Sequence, residues 1–396
     1  MATIVDGKKR IPFRRGMLIS YLIQRGFAYD AAEAIANHVR EALGKEKETP
    51  KKEIVKLVEQ LIQKEYPEHP EVGDLVFWER LPTSILVERK EGTRPFSKEV
   101  LSHSIQASGL AGDLAFQTAK AIESKLIDQR HSHISHTELE TLTSAMLAEH
   151  HDRSYAERYR VWRTWRDLDK PLFILIGGAS GVGKTSLAIS LASLLDIPRV
   201  VATDDIRQIM RLTLAPELMP FIHSSSYSAW EMAPADDASD LDPVIAAFRE
   251  QAKVVSVGVR AILSRCIEEG TSVIIDGVHL LPEFISAGEF RKSAFLVPIC
   301  LALETREEYG ERFAKRAASA PSRPSNRYVS YLDEIMKIQE YLVETSAQHD
   351  IPVVDAETIA EATSAAALLV VEHLQEQAEI QAVLGNKRGK KKKRKN

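Results

Sequence analysis

Residues Gly178–Thr185 read G-A-S-G-V-G-K-T and follow directly on the apolar run Leu172–Ile176. The pattern G-x-x-x-x-G-K-[ST] between a strand and a helix leaves the backbone few options. Its glycines turn successive N–H groups into one concavity at a helix N-terminus, a shape that suits the di- or triphosphate of a nucleotide. Gly178, Gly181 and Gly183 allow the backbone angles and the close approach, and Ala179, Ser180, Val182 and Ser186 complete the cradle. Lys184 is placed to reach the β/γ-phosphates, and the Thr185 hydroxyl to hold Mg²⁺. A Gly-rich turn between core elements is the alternative. The strand before the loop and the helical pattern of Ser186–Leu195 after it favour the phosphate cradle.

Beyond Lys170, short apolar runs alternate with helical patterns. Strands are expected at Leu172–Ile176, Arg199–Ala202, Ser272–Ile275, Phe295–Leu301 and Ile351–Val354, and helices at Lys184–Leu195, Asp205–Leu212, Pro243–Glu269 and Arg306–Ala318. Such alternation implies an α/β domain with a parallel sheet covered on both faces, its ligands beyond the carboxyl ends of the strands. Three clusters fall at that edge. In Thr203-Asp204-Asp205-Ile206-Arg207, Asp204 would lie beside the phosphate loop if the first two strands are neighbours. It could then deprotonate an attacking hydroxyl or help hold Mg²⁺. Arg207 and Arg211 share a helix face and suit an anionic acceptor; an N-cap acid with surface arginines is the plainer alternative. In Val273–His279, Asp276 ends a buried strand, in the manner of a Walker-B carboxylate contacting Mg²⁺, and His279 is a candidate donor to the substrate, although a lone histidine also suits a structural role. The third cluster, Arg312, Arg316, Arg323 and Arg327, is interrupted by Pro321 and Pro324. It reads as a lid whose arginines close over the transferred phosphoryl group, or as an exposed basic helix. His223-Ser224-Ser225-Ser226-Tyr227 is a candidate acceptor surface or an ordinary loop, and the long Pro243–Glu269 helix reads as packing.

The N-terminal part repeats itself. Pro12-Phe13 recurs as Pro95-Phe96, and the same offset pairs Leu18 with Leu101, Leu22 with Ile105, Gly26 with Gly109, Ala36 with Ala119 and Leu43 with Leu126. Apolar steps of three and four mark amphipathic helices around a Gly turn, and extended pieces with charged turns precede each Pro-Phe, so each copy reads as a β-hairpin leading into helices. A further helix follows after a shift of two residues, at Glu53–Lys64 and Glu138–Glu149. The Val-x-x-x-Gly…Pro-Phe opening resembles the ATP-cone, a regulatory nucleotide-binding module, over residues 1–45 and 84–127. Lys8, Lys9, Arg10, Arg89, Lys90 and Arg94 could meet phosphates there. Solvated turns, with helices that pack or dimerise, are the alternative.

The run G-G-A-S-G-V-G-K-T, T-D-D-I-R-Q-I-M-R, H-S-S-S-Y, Q-A-K-V-V-S-V-G-V-R-A-I, I-I-D-G-V-H-L-L-P and R-P-S-N-R-Y resembles the 2-phosphoglycerate kinase family over most of residues 84–345. The resemblance implies a C-terminal P-loop kinase domain with a parallel sheet, preceded by two mainly helical ATP-cone-like repeats. It also implies ATP and Mg²⁺ as cofactors and transfer to the 3-hydroxyl of 2-phosphoglycerate. Another phosphorylated metabolite, such as an inositol phosphate, remains an alternative acceptor. Two departures stand out: a complete extra repeat, and Asp276 where a glutamate is expected. The domains are placed at 1–83, 84–168, 169–384 and 385–396. Within them Lys184, Asp204, Arg312 and Arg316 are the catalytic candidates. Arg207, Arg211, His223, His279, Arg323 and Arg327 are the acceptor-binding candidates, and Thr185 and Asp276 the metal-binding ones. A non-catalytic ATP-sensing protein with a docking tail is the rival reading. A GTPase is disfavoured, because the one Asn-Lys pair, Asn386-Lys387, lacks the Asp of N-K-x-D.

Charge and cysteine content bear on partners. The net charge is −4, yet Lys387–Lys395 carries eight basic residues, leaving the rest of the 396-residue chain at −12. That block is expected to be a solvated tail, able to make weak, salt-dependent contact with nucleic acid or to have no specific partner. Two cysteines, no signal-peptide core and no apolar run of membrane-spanning length place the chain in the cytoplasm, without a membrane partner. No residue pattern sets an oligomeric state.

Overall fold

The computed structural model describes residues 3–6, 9–13, 15–24, 27–44, 48–66, 85–89, 92–129, 131, 133–232, 241–319 and 325–393. They form two compact units, Met1–Ile85 and Leu86–Asn396.

In the first unit, β1 (Thr3–Asp6) and β2 (Lys9–Pro12) form the expected antiparallel hairpin, with Thr3 opposite Pro12. A third strand, β3 (Glu48–Pro50), runs parallel to β1. Helices α1 (Arg15–Gln24), α2 (Tyr29–Leu43) and α3 (Lys51–Glu65) complete the unit. On α2 the buried residues are Ala32, Ile35, Ala36, Val39 and Leu43. This helical stripe meets Leu18 and Leu22 of α1 and Ile54, Val58 and Ile62 of α3 in one core.

The second copy repeats this arrangement: hairpin β4 (Leu86–Arg89) and β5 (Gly92–Pro95), helices α4 (Lys98–Gln106) and α5 (Gly112–Asp128), parallel strand β6 (His133–Ser135), then α6 (His136–His150). The first four elements start 83 residues after their counterparts and the last two start 85 after. The two extra residues lengthen α5 to 17 residues against 15 in α2. Ser135 caps α6 reciprocally with Glu138: the Glu138 N–H donates to the Ser135 hydroxyl at 3.2 Å and the Ser135 N–H to the Glu138 carboxylate at 3.0 Å.

After α7 (Arg153–Arg166) comes a five-stranded parallel sheet of β7 (Leu172–Gly177), β8 (Val200–Ala202), β9 (Val273–Asp276), β10 (Phe295–Ala302) and β11 (Val353–Asp355). Its order is β11-β10-β7-β9-β8. All six β7 residues are buried, and they alternate between two cores: Leu172, Ile174 and Ile176 face one, Phe173 and Leu175 the other. The first face is covered by α8 (Lys184–Leu195), α14 (Leu332–Gln348) and α15 (Ile359–Glu376). The second is covered by α9 (Thr203–Thr213), α10 (Pro243–Glu268) and the short α11 (Ala287–Phe290). Ala107, Val161, Trp162 and Trp165 belong to the first core, so residues 84–168 do not stand apart from the sheet. The turn after α4 is tied in as well. Arg158 Nε of α7 donates to the Ser108 carbonyl at 2.8 Å, and Gly109 (φ +89°) lies against Leu368 of α15.

Two expectations need correcting. The first two strands of the domain are not neighbours, because β9 lies between β7 and β8. The basic stretch does not leave helical structure at 385: α16 spans Ala378–Lys393. Lysine and arginine are good helix formers, and the helix is seeded by Ile380, buried in the main core. Among the described residues no helix is long and apolar enough to cross a membrane.

Candidate active site

The strand order fixes what surrounds the loop. Parallel register aligns Ile176, Asp276 and Ala202 across β7, β9 and β8, so three connections leave the sheet edge side by side. From β7 comes Gly178–Gly183. Gly181 (φ +96°) and Gly183 (φ +95°) take left-handed conformations that turn the intervening amides to one side. A Cβ on Gly178 would lie 2.3 Å from the Leu301 carbonyl oxygen, so the loop is seated on β10. Ala179 and Val182 are fully buried beneath it. Gly183 is the N-cap of α8, whose first residues are Lys184, Thr185 and Ser186. Lys184 Nζ donates back to the Ala179 carbonyl at 2.7 Å, which keeps the ammonium over the cradle.

From β9 comes Asp276, 2% exposed. It accepts the Thr185 hydroxyl at 2.7 Å through Oδ2, while Oδ1 is buried without a hydrogen-bond partner. Burial pushes this carboxyl above the usual carboxylate range and Asp204 and Asp205 add to the rise; the Thr185 hydroxyl and Lys184 oppose it. A hydroxyl and an orphaned carboxylate oxygen at the mouth of a phosphate cradle are the hard-oxygen donors Mg²⁺ takes. Among the described residues no group of three His, Cys, Asp or Glu side chains gathers to hold a metal.

From β8 comes α9, with Asp204 and Asp205 in its first turn. Asp204 therefore sits beyond Asp276 rather than against the loop; its side chain is 72% exposed, with Oδ1 3.4 Å from Arg207 Nε. Arg207 is turned toward the protein. Its Nη1 donates to the carbonyls of Ile222 (3.1 Å) and Ser224 (2.8 Å), the segment expected to meet the acceptor. Arg211 does not join it and instead bonds Gln208 at 3.2 Å. His223 Nε2 meets the Leu214 carbonyl at 2.9 Å.

His279 is the clearest correction. It is fully buried, its Nδ1 2.7 Å from the Thr203 hydroxyl and its Nε2 2.9 Å from Gln251 Oε1. Both ring nitrogens are committed to protein, and burial holds the ring neutral, its pKa pushed down to about 3. It cannot donate to a substrate. Gly277 explains the close packing here: a Cβ on it would lie 1.7 Å from the Thr203 hydroxyl oxygen.

Arg312, on α12 (Arg306–Ser319), flanks the loop: Nη1 donates to the Val182 carbonyl at 2.9 Å and Nη2 to Glu357 at 3.2 Å. The Arg316 side chain, Arg323 and the Arg327 side chain lie outside the described residues, as do Lys8, Lys90 and the side chains of Lys9, Arg10 and Arg89. Arg94 is exposed on β5. A column of rings links the loop to the segment around Tyr227. Phe313 packs under Gly181, where a Cβ would lie 2.4 Å from its ring, and stacks on Tyr328 at 5.1 Å. Tyr328 meets Tyr227 at 5.8 Å, and Tyr227 meets Tyr331 at 5.3 Å.

Gln251 is the residue that the sequence reading missed. It is fully buried on the apolar face of α10, between Phe248 and Val255. A lone amide in an apolar stripe was the available signal.

Known proteins similar to this chain fall into two families. The ATP cone domain family matches residues 85–168. A 2-phosphoglycerate kinase of Pyrococcus furiosus is 38% identical over 271 residues, covering 68% of this chain and 87% of that protein. One from Methanopyrus kandleri is 38% identical over 278 residues, covering 70% and 84%. One from Methanocaldococcus jannaschii is 33% identical over 303 residues, covering 76% and 96%.

Proposed function

Because the chain belongs to the 2-phosphoglycerate kinase family, we propose that it transfers the γ-phosphoryl group of ATP to the 3-hydroxyl of 2-phosphoglycerate, giving 2,3-bisphosphoglycerate and ADP. The observation that carries this reading is the alignment of three strand ends, which brings the phosphate cradle, the Thr185–Asp276 pair and the Asp204–Arg207 turn to one edge.

The roles follow from position. Loop amides hold the donor's phosphates, and Lys184 swings from the Ala179 carbonyl onto their β/γ oxygens. Thr185 and Asp276 would hold Mg²⁺, which when bound would supply positive charge against the charge gathering on the leaving oxygens. Asp204, exposed and two residues past the strand-end row, orients the acceptor hydroxyl and receives its proton as the new O–P bond forms and the β–γ bridge breaks. Arg207 holds Asp204 and fixes the Ile222–Ser224 backbone, the floor on which the acceptor rests. Arg312 braces the cradle from the side. Both cysteines are free and buried, in keeping with work in the reducing cytoplasm.

A coupled assay of ADP release with 2-phosphoglycerate and with other phosphorylated acids tests the reading. Release should require 2-phosphoglycerate, and Lys184→Ala should lower turnover by about 10²–10³, the scale of one lost charge-stabilising contact. Slow ADP release that ignores the acceptor and survives Lys184→Ala would refute it and favour a nucleotide sensor.

A further inference from the structure

A buried polar line runs across the domain beneath the acceptor segment. Gln251 Nε2 donates to the carbonyls of Phe221 and, at 3.1 Å, of Ser224. With both amide hydrogens so used, Gln251 Oε1 accepts from His279 Nε2 at 2.9 Å. His279 Nδ1 is then the acceptor, and it takes the Thr203 hydroxyl at 2.7 Å. One tautomer and one amide orientation satisfy every group. Gln251 and His279 are fully buried, as is Thr203, the first residue of α9 and the neighbour of Asp204. Ser224 is held twice over, since Arg207 donates to the same carbonyl at 2.8 Å. The chain of contacts therefore spans α10, the turn after β9, the start of α9 and the 221–224 segment, elements far apart in sequence.

We propose that Gln251 is a positioning residue for the acceptor, acting with His279 and Thr203 to lock the 221–224 segment onto the helix that carries Asp204 and Arg207. An apolar residue on this face of α10 would serve packing equally well. The amide serves to grip two carbonyls of a segment built only from short 3₁₀ turns, Pro220–His223 and then Ser226–Met232, with no longer helix or strand to hold it. With the grip released, the Phe221 carbonyl loses its partner and the Ser224 carbonyl keeps only Arg207, so the segment loosens against Asp204, while the phosphate cradle stays seated on β10 through Gly178. The line thus governs one substrate and not the other.

The inference rests on the kinase reading above, and its test separates the two. Gln251→Leu should raise KM for 2-phosphoglycerate about tenfold, as expected for loss of a buried hydrogen-bonding group acting on one substrate, with KM for ATP within about twofold. Thr203→Val, at the far end of the line, should shift acceptor KM in the same direction by about threefold, and Thr203→Ser, which keeps the hydroxyl, should restore it. In the protein without substrates, amide hydrogen exchange over residues 220–228 should quicken in Gln251→Leu and leave the cradle unchanged. Unchanged exchange and unchanged acceptor KM would overturn the proposal. So would equal rises in both KM values, the mark of a merely structural role. If wild type does not turn over 2-phosphoglycerate, the functional reading fails, and the exchange measurement still decides the positioning.

Discussion

Replacing Asp276 with asparagine should make the ligand-free protein more stable and the enzyme nearly inactive. The carboxylate is 2% exposed, with one oxygen taken by Thr185 at 2.7 Å and the other without a partner. An incompletely paired buried charge costs several kcal/mol. Asparagine keeps an acceptor for the Thr185 hydroxyl and leaves at most an unpartnered N–H, a cost of about 1–3 kcal/mol. The balance favours the variant by about 1–2 kcal/mol, the usual scale of stability held back at an active site. For the unit Leu86–Asn396, at an unfolding entropy of about 2.1 cal/mol/K per residue, that raises Tm by about 1.5–3 °C. The sign has a pH signature: a carboxyl with a raised folded-state pKa favours the fold when protonated. Wild type should gain on the variant as pH falls through the folded-state value toward the unfolded one, and lose to it above. The assay is thermal unfolding of both proteins at neutral pH, alone and with Mg·ADP. Wild type should gain from Mg·ADP much more than the variant, and kcat should drop by about 10²–10³ in the variant. A variant less stable than wild type without ligand, and equally stabilised by Mg·ADP, would refute the assignment of this oxygen to the metal.

Three further substitutions test packing and burial. Gly277→Ala drives a methyl into Thr203, whose Cβ and Cγ2 are also within 2.7 Å of the new atom, so rotation of the side chain gives no relief. Stability should fall by about 1–3 kcal/mol in urea unfolding. Gly310→Ala, a helical position with open space around it, should gain up to about 1 kcal/mol, and equal losses at both sites would sink the packing argument. His279 stays neutral when folded down to about pH 3 but titrates near 6.5 when unfolded. Below about pH 6.5 the unfolded chain binds a proton that the folded one refuses, so stability should fall by about 1.4 kcal/mol per pH unit. Urea midpoints from pH 6 to 4 should fall faster in wild type than in His279→Gln; parallel curves would rule this out.

How much of this could be read in advance depended on how local the signal was. The phosphate loop is legible because glycine, lysine and threonine each answer a local demand of the backbone or of a phosphate. The repeat is legible because its apolar pairs hold one offset through two helices, and even the shift of two residues corresponds to a longer α5. Strands β3 and β6 were missed: three residues such as His133-Ile134-Ser135 carry no period, and they become strands only by pairing with a distant hairpin. Strand order was equally hidden, since β9 enters between β7 and β8 after the long α10, and no local residue encodes that insertion. For His279 the donor and structural readings stood side by side in the sequence, because the partners that decide between them, Thr203 and Gln251, lie 76 and 28 residues away. A histidine after a strand-end acid looks like a ligand until those partners are seen to saturate it.

The ring column has a consequence for how the glycine loop is held. Phe313 stands six residues before Ser319, the end of α12, and Tyr328 three after Ser325, the start of α13 (Ser325–Ser330); the two rings stack on each other. Two helices are thus moored to each other through one stacked pair, with Gly181 resting on the first ring and Tyr227 against the second. Trimming either ring would therefore be felt at both ends, at the glycine loop and at Tyr227.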